Sequence, residues 1–310
     1  MNDMSRREAA RLLGVGAGAL LLPIGPGFAA DEDNTMLKRG IPSSGEKLPV
    51  IGLGSWQTFD VGESPEERAP LDQVLRSFLK ARGTVIDSSP MYGRSEQVIG
   101  DLLTGFGSHS PVFLATKVWT RGKQAGIESM ERSLARLQTK RIELMQVHNL
   151  LDLDTHLATL REWKESGRIR YVGVTHYNSS AYAEVERVLR NEKLDFLQIN
   201  YSIAEREAEE RILPLAQERG VAVLINRPFG GGDLFRQLRS KPLPEWAVEF
   251  DCRSWAQFLL KWIVAHSAVT CAIPATSKLN HLVDNMGAGI GRLPDAKNRQ
   301  KMTQYVAGLR

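Results

Sequence analysis

Val85-Ile86-Asp87-Ser88-Ser89-Pro90-Met91-Tyr92-Gly93-Arg94-Ser95-Glu96-Gln97-Val98-Ile99-Gly100 changes character twice. An apolar run breaks at Ser88-Ser89-Pro90 into a loop, and a helix restarts with Ser95 and Glu96 in its first turn. The stretch is one strand–loop–helix unit, closed by a carboxylate at the strand end and followed by a phenol on the loop. Neither residue serves packing there, since Asp is depleted in strands and a loop tyrosine has little core to fill. A carboxylate and a phenol at the mouth of a βα unit point to proton chemistry. Taken alone, such an Asp as often caps a turn, so the rest of the chain decides.

The same unit recurs on both sides. Apolar runs lie at Pro49–Gly54, Thr84–Asp87, Val112–Lys117, Ile142–His148, Tyr171–Thr175, Phe196–Asn200, Val221–Asn226 and Val269–Ile273. Most lack alternation, as expected of parallel strands buried on both faces. Between them, Leu71 to Lys80, Glu96 to Leu103, Glu128 to Leu137, His156 to Glu165, Ala181 to Leu189, Glu205 to Gln217 and Trp255 to Ala265 place apolar residues at helical steps. Pro214 predicts a kink in the sixth of these helices, and Gly167 and Gly220 sit where helix C-caps belong. Repeated strand–helix units without a glycine-rich first turn predict an α/β fold: one closed (β/α)8 TIM barrel over residues 36–310, not a Rossmann sheet. Met36 to Gly54 reads as an N-terminal hairpin and a short strand, Pro228 to Arg253 as a long loop, and Gly289 to Arg310 as a polar stretch with a C-terminal extra helix.

The 310 residues, 42% hydrophobic and 25% charged, have the composition of a soluble globular protein. A net charge of +4 without a Lys/Arg block, and aromatics not interleaved with basic residues, give nucleic-acid binding no support. Cys252 and Cys271 are too few and too far apart for a metal knuckle or a redox pair and read as packing residues. The first thirty residues differ from the rest. Arg6-Arg7 follows Ser5, Leu12 to Leu22 is apolar and glycine-rich, Gly27-Phe28-Ala29 offers small residues at a cleavage site, and Asp31-Glu32-Asp33 follows. This order resembles a twin-arginine signal peptide over residues 1–30, with Ala9 where that pattern usually has Phe. The resemblance implies the twin-arginine export machinery as a partner and a periplasmic location, with a cytoplasmic enzyme as the alternative. Pro23 and Pro26 interrupt the apolar run, so no stable membrane insertion of the mature protein is expected.

In a barrel the strand ends converge on one mouth. Here they carry Asp87, Lys117, His148, Thr175-His176, Gln198 with Asn200, and Asn226-Arg227. Unpaired buried charges cost on the order of several kcal/mol each, so Asp87 and Lys117 are expected to pair. The ammonium then lies beside Tyr92 and is expected to lower the phenol pKa toward working pH. No clustered His and carboxylate set suggests a metal.

Asp87 with Tyr92-Gly93, Lys117 within Ala115-Thr116-Lys117-Val118-Trp119, and His148 within Gln146-Val147-His148-Asn149 resemble the catalytic tetrad of the aldo-keto reductases. The resemblance runs over essentially the whole chain after Met36. It implies an NAD(P)H-dependent oxidoreductase passing hydride between a nicotinamide cofactor and a small aldehyde or ketone, or the reverse alcohol oxidation. Tyr92 is then the proton donor, Asp87 and Lys117 tune it, and His148 orients the carbonyl. Thr175, His176 and Gln198 would hold the nicotinamide carboxamide. Arg227, Pro228, Phe229 and Gly230 lead into Gly230-Gly231-Gly232, whose backbone would approach the pyrophosphate closely and hinge the loop. Ile273 to Asn285 matches the adenosine segment, with Thr276, Ser277, Lys278, His281 and Asn285 as contacts.

Two departures stand out. The family often stacks an aromatic ring on the nicotinamide near the end of strand seven, where this chain has Asn226-Arg227-Pro228-Phe229. Family members also place Lys and Arg on the 2′-phosphate, where Ala275 and His281 stand, with Lys278 as the compensating cation. NADPH is the expected cofactor and NADH the alternative. Trp56, Met91 and Trp119 fall where relatives line the substrate pocket, rim packing being the other reading of the two tryptophans. A non-catalytic nucleotide-binding barrel, acting as sensor or interaction subunit, is the rival function.

Overall fold

The computed structural model describes residues 35–107 and 112–309. The signal peptide expected over residues 1–30 lies outside them. An antiparallel hairpin, β1 (Lys38–Gly40) and β2 (Lys47–Pro49), precedes eight parallel strands. These are β3 (Leu53–Gly54), β4 (Val85–Asp87), β5 (Phe113–Val118), β6 (Ile142–His148), β7 (Ile169–Thr175), β8 (Phe196–Asn200), β9 (Ala222–Asn226) and β10 (Cys271–Ala272). Each pairs with its sequence neighbour, from β3 through to β10. Parallel bridges from Ile51 to Ala272 and from Gly54 to Ala275 join the first strand to the last and close the barrel.

Strand periodicity sorts the buried residues into two cores. Ile86, Leu114, Met145, Val147, Val172, Val174, Leu197, Ile199, Val223 and Ile225 meet the helices in the outer core. Val85, Phe113, Ala115, Leu144, Tyr171, Phe196, Ala222 and Leu224 face inward, and the hairpin plugs that end with Ile41 and Leu48. Adding two or four positions to these inward residues reaches Asp87, Lys117, Gln146, His148, Gln198, Asn200 and Asn226. The inner face is therefore apolar at one end of the barrel and polar at the other.

The expected helices appear in order, with α7 and α9 in addition: α1 (Pro65–Lys80), α2 (Ser95–Gly105), α3 (Lys123–Arg136), α4 (Leu153–Glu165), α5 (Tyr182–Asn191), α6 (Ile212–Glu218), α7 (Asp233–Leu238), α8 (Trp255–Val264), α9 (Leu279–Gly287) and α10 (Ala296–Leu309). Helix α1 begins earlier than its apolar periodicity, because Ser64 caps the Glu67 amide and Pro65 opens the first turn. The expected Glu205–Gln217 helix is a 3-10 turn at Glu207–Glu209 followed by α6. Pro214 falls in the first turn of α6, where a missing N–H breaks no helical bond, so the expected kink does not arise. Pro228 to Arg253 is not an open loop, for it contains α7 and a 3-10 segment at Glu245–Phe250. Cys252 and Cys271 are free and buried. Among the described residues no helix is long and apolar enough to cross a membrane, and no group of three or more His, Cys, Asp or Glu is placed to hold a metal ion.

Candidate active site

At the polar end, Lys117 on β5 reaches across to β4. Its Nζ donates to Asp87 Oδ2 at 2.7 Å and to the Ser88 carbonyl at 2.6 Å, and the side chain is 0% exposed. The other Asp87 oxygen accepts from Gln198 Nε2 at 2.7 Å and from Gln146 Nε2 at 3.4 Å. A buried carboxylate with three donors and a buried ammonium with a charged partner meet the condition for keeping both charges inside. Gly173 makes room for this arrangement, since a Cβ there would come within 3.2 Å of Gln146 Cγ and 2.9 Å of the Phe196 carbonyl.

The loop after β4 carries Tyr92 back over this pair. Its turn runs through Gly93 at φ +60, where a side chain would strike the Asp60 carboxylate, which accepts from the Arg94 amide at 2.9 Å. Lys117 Nζ stands 5.0 Å from the Tyr92 ring centre. Burial pushes the Tyr92 phenol above its ordinary pKa, and the opposing charge of Lys117 does not outweigh it. This corrects the expected lowering: desolvation disfavours the phenolate more than the ammonium favours it. Lys117 is also raised. Burial alone would lower it, but the Asp87 charge and Tyr92 prevail.

His148 ends β6 on the same side, its ring centre 6.3 Å from that of Tyr92 at 84°. Burial first, then the positive charge of Lys117, lowers its pKa to about 3, so the imidazole is neutral at neutral pH. Nδ1 lies 3.3 Å from Ser89 Oγ, which also accepts the Met91 amide at 3.4 Å. Ser89 keeps both its hydroxyl hydrogen and a second lone pair, so it can pair with Nδ1 whichever ring nitrogen carries the hydrogen. Trp119 lies 6.0 Å from the His148 ring. Trp56, Met91 and Trp119 are 45%, 42% and 44% exposed, large apolar surface left open.

On β7 to β9 the polar residues form a second group. Gln198 Oε1 accepts from Thr175 Oγ1 at 3.1 Å and from Asn226 Nδ2 at 3.4 Å. Asn226 Nδ2 also donates to the His176 carbonyl at 3.0 Å, while its Oδ1 is buried without a partner. A concavity of about 180 Å³ lies at these strand ends, lined by Tyr177, Asn178, Ser179, Asn200, Glu205 and Arg227. Arg227 adopts φ +49, and Gly230, Gly231 and Gly232 all have positive φ before α7. Phe229 packs on Phe235 with ring centres 4.6 Å apart, and Pro228 is buried. At the seam, Thr276 Oγ1 accepts the Lys278 amide at 3.1 Å and Lys278 caps α9. Ala275, Lys278 and His281 are exposed, Ser277 is half-buried and Asn285 is buried.

The structure thus brings Asp87, Tyr92, Lys117 and His148 together, with Gln198 joined to them through Asp87. Residues 275–285 form a separate surface at the barrel seam. Ser89 and Gln146 join the site without having been singled out for it, and Asn226, expected at the mouth as a strand-end residue, is tied to it through Gln198. Gln146 was findable by counting two residues back from His148 on the same strand face.

A model of the aldo/keto reductase family matches residues 50–301. The chain is 29% identical over 259 residues to methylglyoxal reductase YeaE of Escherichia coli, covering 81% of this chain and 89% of that protein. An aldo-keto reductase from Klebsiella pneumoniae, solved in complex with NADPH, superposes with a TM-score of 0.73 at 25% identity over 87% of this chain and 96% of that one. The holo form of an aldo-keto reductase from Bacillus halodurans gives a TM-score of 0.70 at 26% identity, with the same coverages. This chain belongs to the aldo/keto reductase family.

Proposed function

We infer that the chain is a nicotinamide-dependent carbonyl oxidoreductase that uses NADPH to reduce a small aldehyde or ketone. The carrying observation is the Lys117–Asp87 contact of 2.7 Å set 5.0 Å from the Tyr92 ring. A barrel that only sensed nucleotide would have no use for a buried ammonium beside a phenol. NADPH comes from the solved Klebsiella relative, and the residues here fit an amide-bearing ring, since the Asn226 Oδ1 acceptor at the strand ends is buried and uncommitted. Thr175, His176, Gln198 and Asn226 would flank that ring, Arg227 to Gly230 the pyrophosphate, and Thr276, Ser277, Lys278, His281 and Asn285 the adenosine end.

When bound, the dinucleotide supplies the hydride for the carbonyl carbon. Tyr92 gives its proton to the carbonyl oxygen, and its raised pKa keeps that proton available across neutral pH. Lys117 stabilises the phenolate left behind, and Asp87 holds Lys117 charged. Neutral His148, in the tautomer whose Nδ1 accepts the Ser89 hydroxyl, would donate from Nε2 to the same oxygen and orient it. Trp56, Met91 and Trp119 line the approach. Aldehyde-dependent oxidation of NADPH, followed in solution, tests this reading; dinucleotide binding without turnover of any of a panel of aldehydes would favour the binding-only barrel.

We also propose that the chain is exported through the twin-arginine route to the periplasm. Support comes from the residues alone: Ser5-Arg6-Arg7, the mildly apolar run to Leu22, and the small residues before Asp31. That route carries folded proteins, so the barrel would leave with its dinucleotide already bound.

A further inference from the structure

We propose that Asn226 Oδ1 accepts a hydrogen bond from the carboxamide NH2 of the nicotinamide, fixing the ring where this chain lacks the aromatic residue that stacks on it in relatives. The proposal rests on the nicotinamide reading above.

Three observations carry it. First, the acceptor is uncommitted: Oδ1 of Asn226 is buried and has no hydrogen-bond partner, one of six such side-chain atoms among the described residues and, with Gln146 Oε1, one of two on the polar inner face of the strands. Second, its orientation is determined. Nδ2 faces the His176 carbonyl at 3.0 Å and Gln198 Oε1 at 3.4 Å. Both are pure acceptors, so the amide cannot turn over without setting oxygen against oxygen. Third, the amide next to it is spent, and Gln146, whose Oε1 is also free, lies two strands further round on β6. Gln198 donates to Asp87 at 2.7 Å, and its own oxygen receives Thr175 at 3.1 Å and Asn226 at 3.4 Å. Gln198 therefore acts as the strut that positions Asn226 relative to Asp87, and Asn226 presents the free acceptor.

The location agrees with this role. Register pairs Asn226 with Asn200 at the mouth, and Asn226 lies two residues beyond inward-facing Leu224. The chain leaves Asn226 through Arg227 and the Gly230–Gly232 run, all at positive φ, so a turn with glycine freedom borders the amide. Because Oδ1 is closed off from bulk solvent, a donor that reached it would lose little of its hydrogen bond to competition with water. The chemistry selects a primary amide on a flat neutral ring. A ring bearing an acetyl group offers the carbonyl without the donor.

The test is tryptophan-fluorescence titration of the full chain with NADP+ and with its 3-acetylpyridine analogue, in which CH3 replaces NH2. The wild type is expected to prefer NADP+ by about tenfold, the effect of one well-made hydrogen bond. Asn226→Ala is expected to weaken NADP+ by that factor, leave the analogue nearly unchanged and so abolish the preference. Asn226→Ser replaces it in the same titration if the alanine variant does not fold. A wild type that binds both dinucleotides equally, or a variant that keeps the preference, overturns the proposal. A wild type that binds neither overturns the nicotinamide reading itself, and the proposal with it.

Discussion

Lys117 Nζ and Asp87 Oδ2 lie 2.7 Å apart with both side chains sealed from solvent, on neighbouring strands whose register sets Asp87 beside Ala115. Neither charge has a second charged partner within the pair's hydrogen bonds; Gln146, Gln198 and the Ser88 carbonyl complete the set. The pair is thus a single unit whose halves stabilise each other and whose net worth to folding is small.

Breaking that unit on one side is expected to be expensive. Asp87→Asn leaves the ammonium buried without its counter-charge and should cost roughly 3–5 kcal/mol in urea unfolding. Adding Lys117→Met should recover a substantial part of the loss. A double variant less stable than Asp87→Asn would show that Lys117 is held by contacts other than Asp87.

His148 makes stability depend on acid. Its pKa falls from 6.5 to about 3 on folding, so below about pH 6.5 the unfolded chain takes up a proton that the folded one refuses. Stability from this residue is therefore complete above pH 6.5 and is lost as pH falls toward 3. The loss should reach about 3 kcal/mol by pH 4. His148→Gln should flatten the pH dependence over that window. An unchanged slope would mean that His148 protonates in the folded state without penalty.

Cofactor choice is expected to be weak. Ala275 and His281 are exposed at the seam where relatives carry fixed cations, leaving Lys278 as the cation of that segment. His281→Arg should raise NADPH affinity about fivefold to tenfold and leave NADH unchanged, because a guanidinium grips a phosphate bidentately. Equal gains for both dinucleotides would place the phosphate away from α9.

Export is tested by the double substitution Arg6→Lys with Arg7→Lys, which should retain the protein in the cytoplasm. Periplasmic wild type is expected to carry dinucleotide in near-stoichiometric amount. Protein that arrives empty and exchanges added dinucleotide rapidly would contradict carriage during export.

The barrel was legible because its signals are local. Each strand–helix unit announces itself by an apolar run and a break, as Val85 to Gly100 does, and strand ends in a barrel share one mouth. Asp87, Lys117 and His148 could be read together for that reason. The Tyr92 pKa could not, since it is set by a balance of burial against a charge, and burial is a property of the folded loop. Gln146 and Ser89 were hidden because their meaning lies in partners 59 residues away, as in Gln146–Asp87 and Ser89–His148, while Asn226 was visible at its strand end but its bond to Gln198 was not. The short helix at 212–218 and the helical turns within 228–253 are not legible in the same way, since a proline or a break in the strand–helix rhythm marks an interruption but not what tertiary packing builds around it.

The most direct test of the account is the Tyr92→Phe variant, measured for aldehyde reduction with NADPH and for dinucleotide affinity in the same preparation. Loss of the phenolic proton should lower kcat by at least about a thousandfold while the dinucleotide Kd stays within about threefold, because the hydroxyl acts in the transition state and not in cofactor binding. A variant that keeps its turnover within about tenfold of wild type would contradict the assignment of Tyr92 as the proton donor.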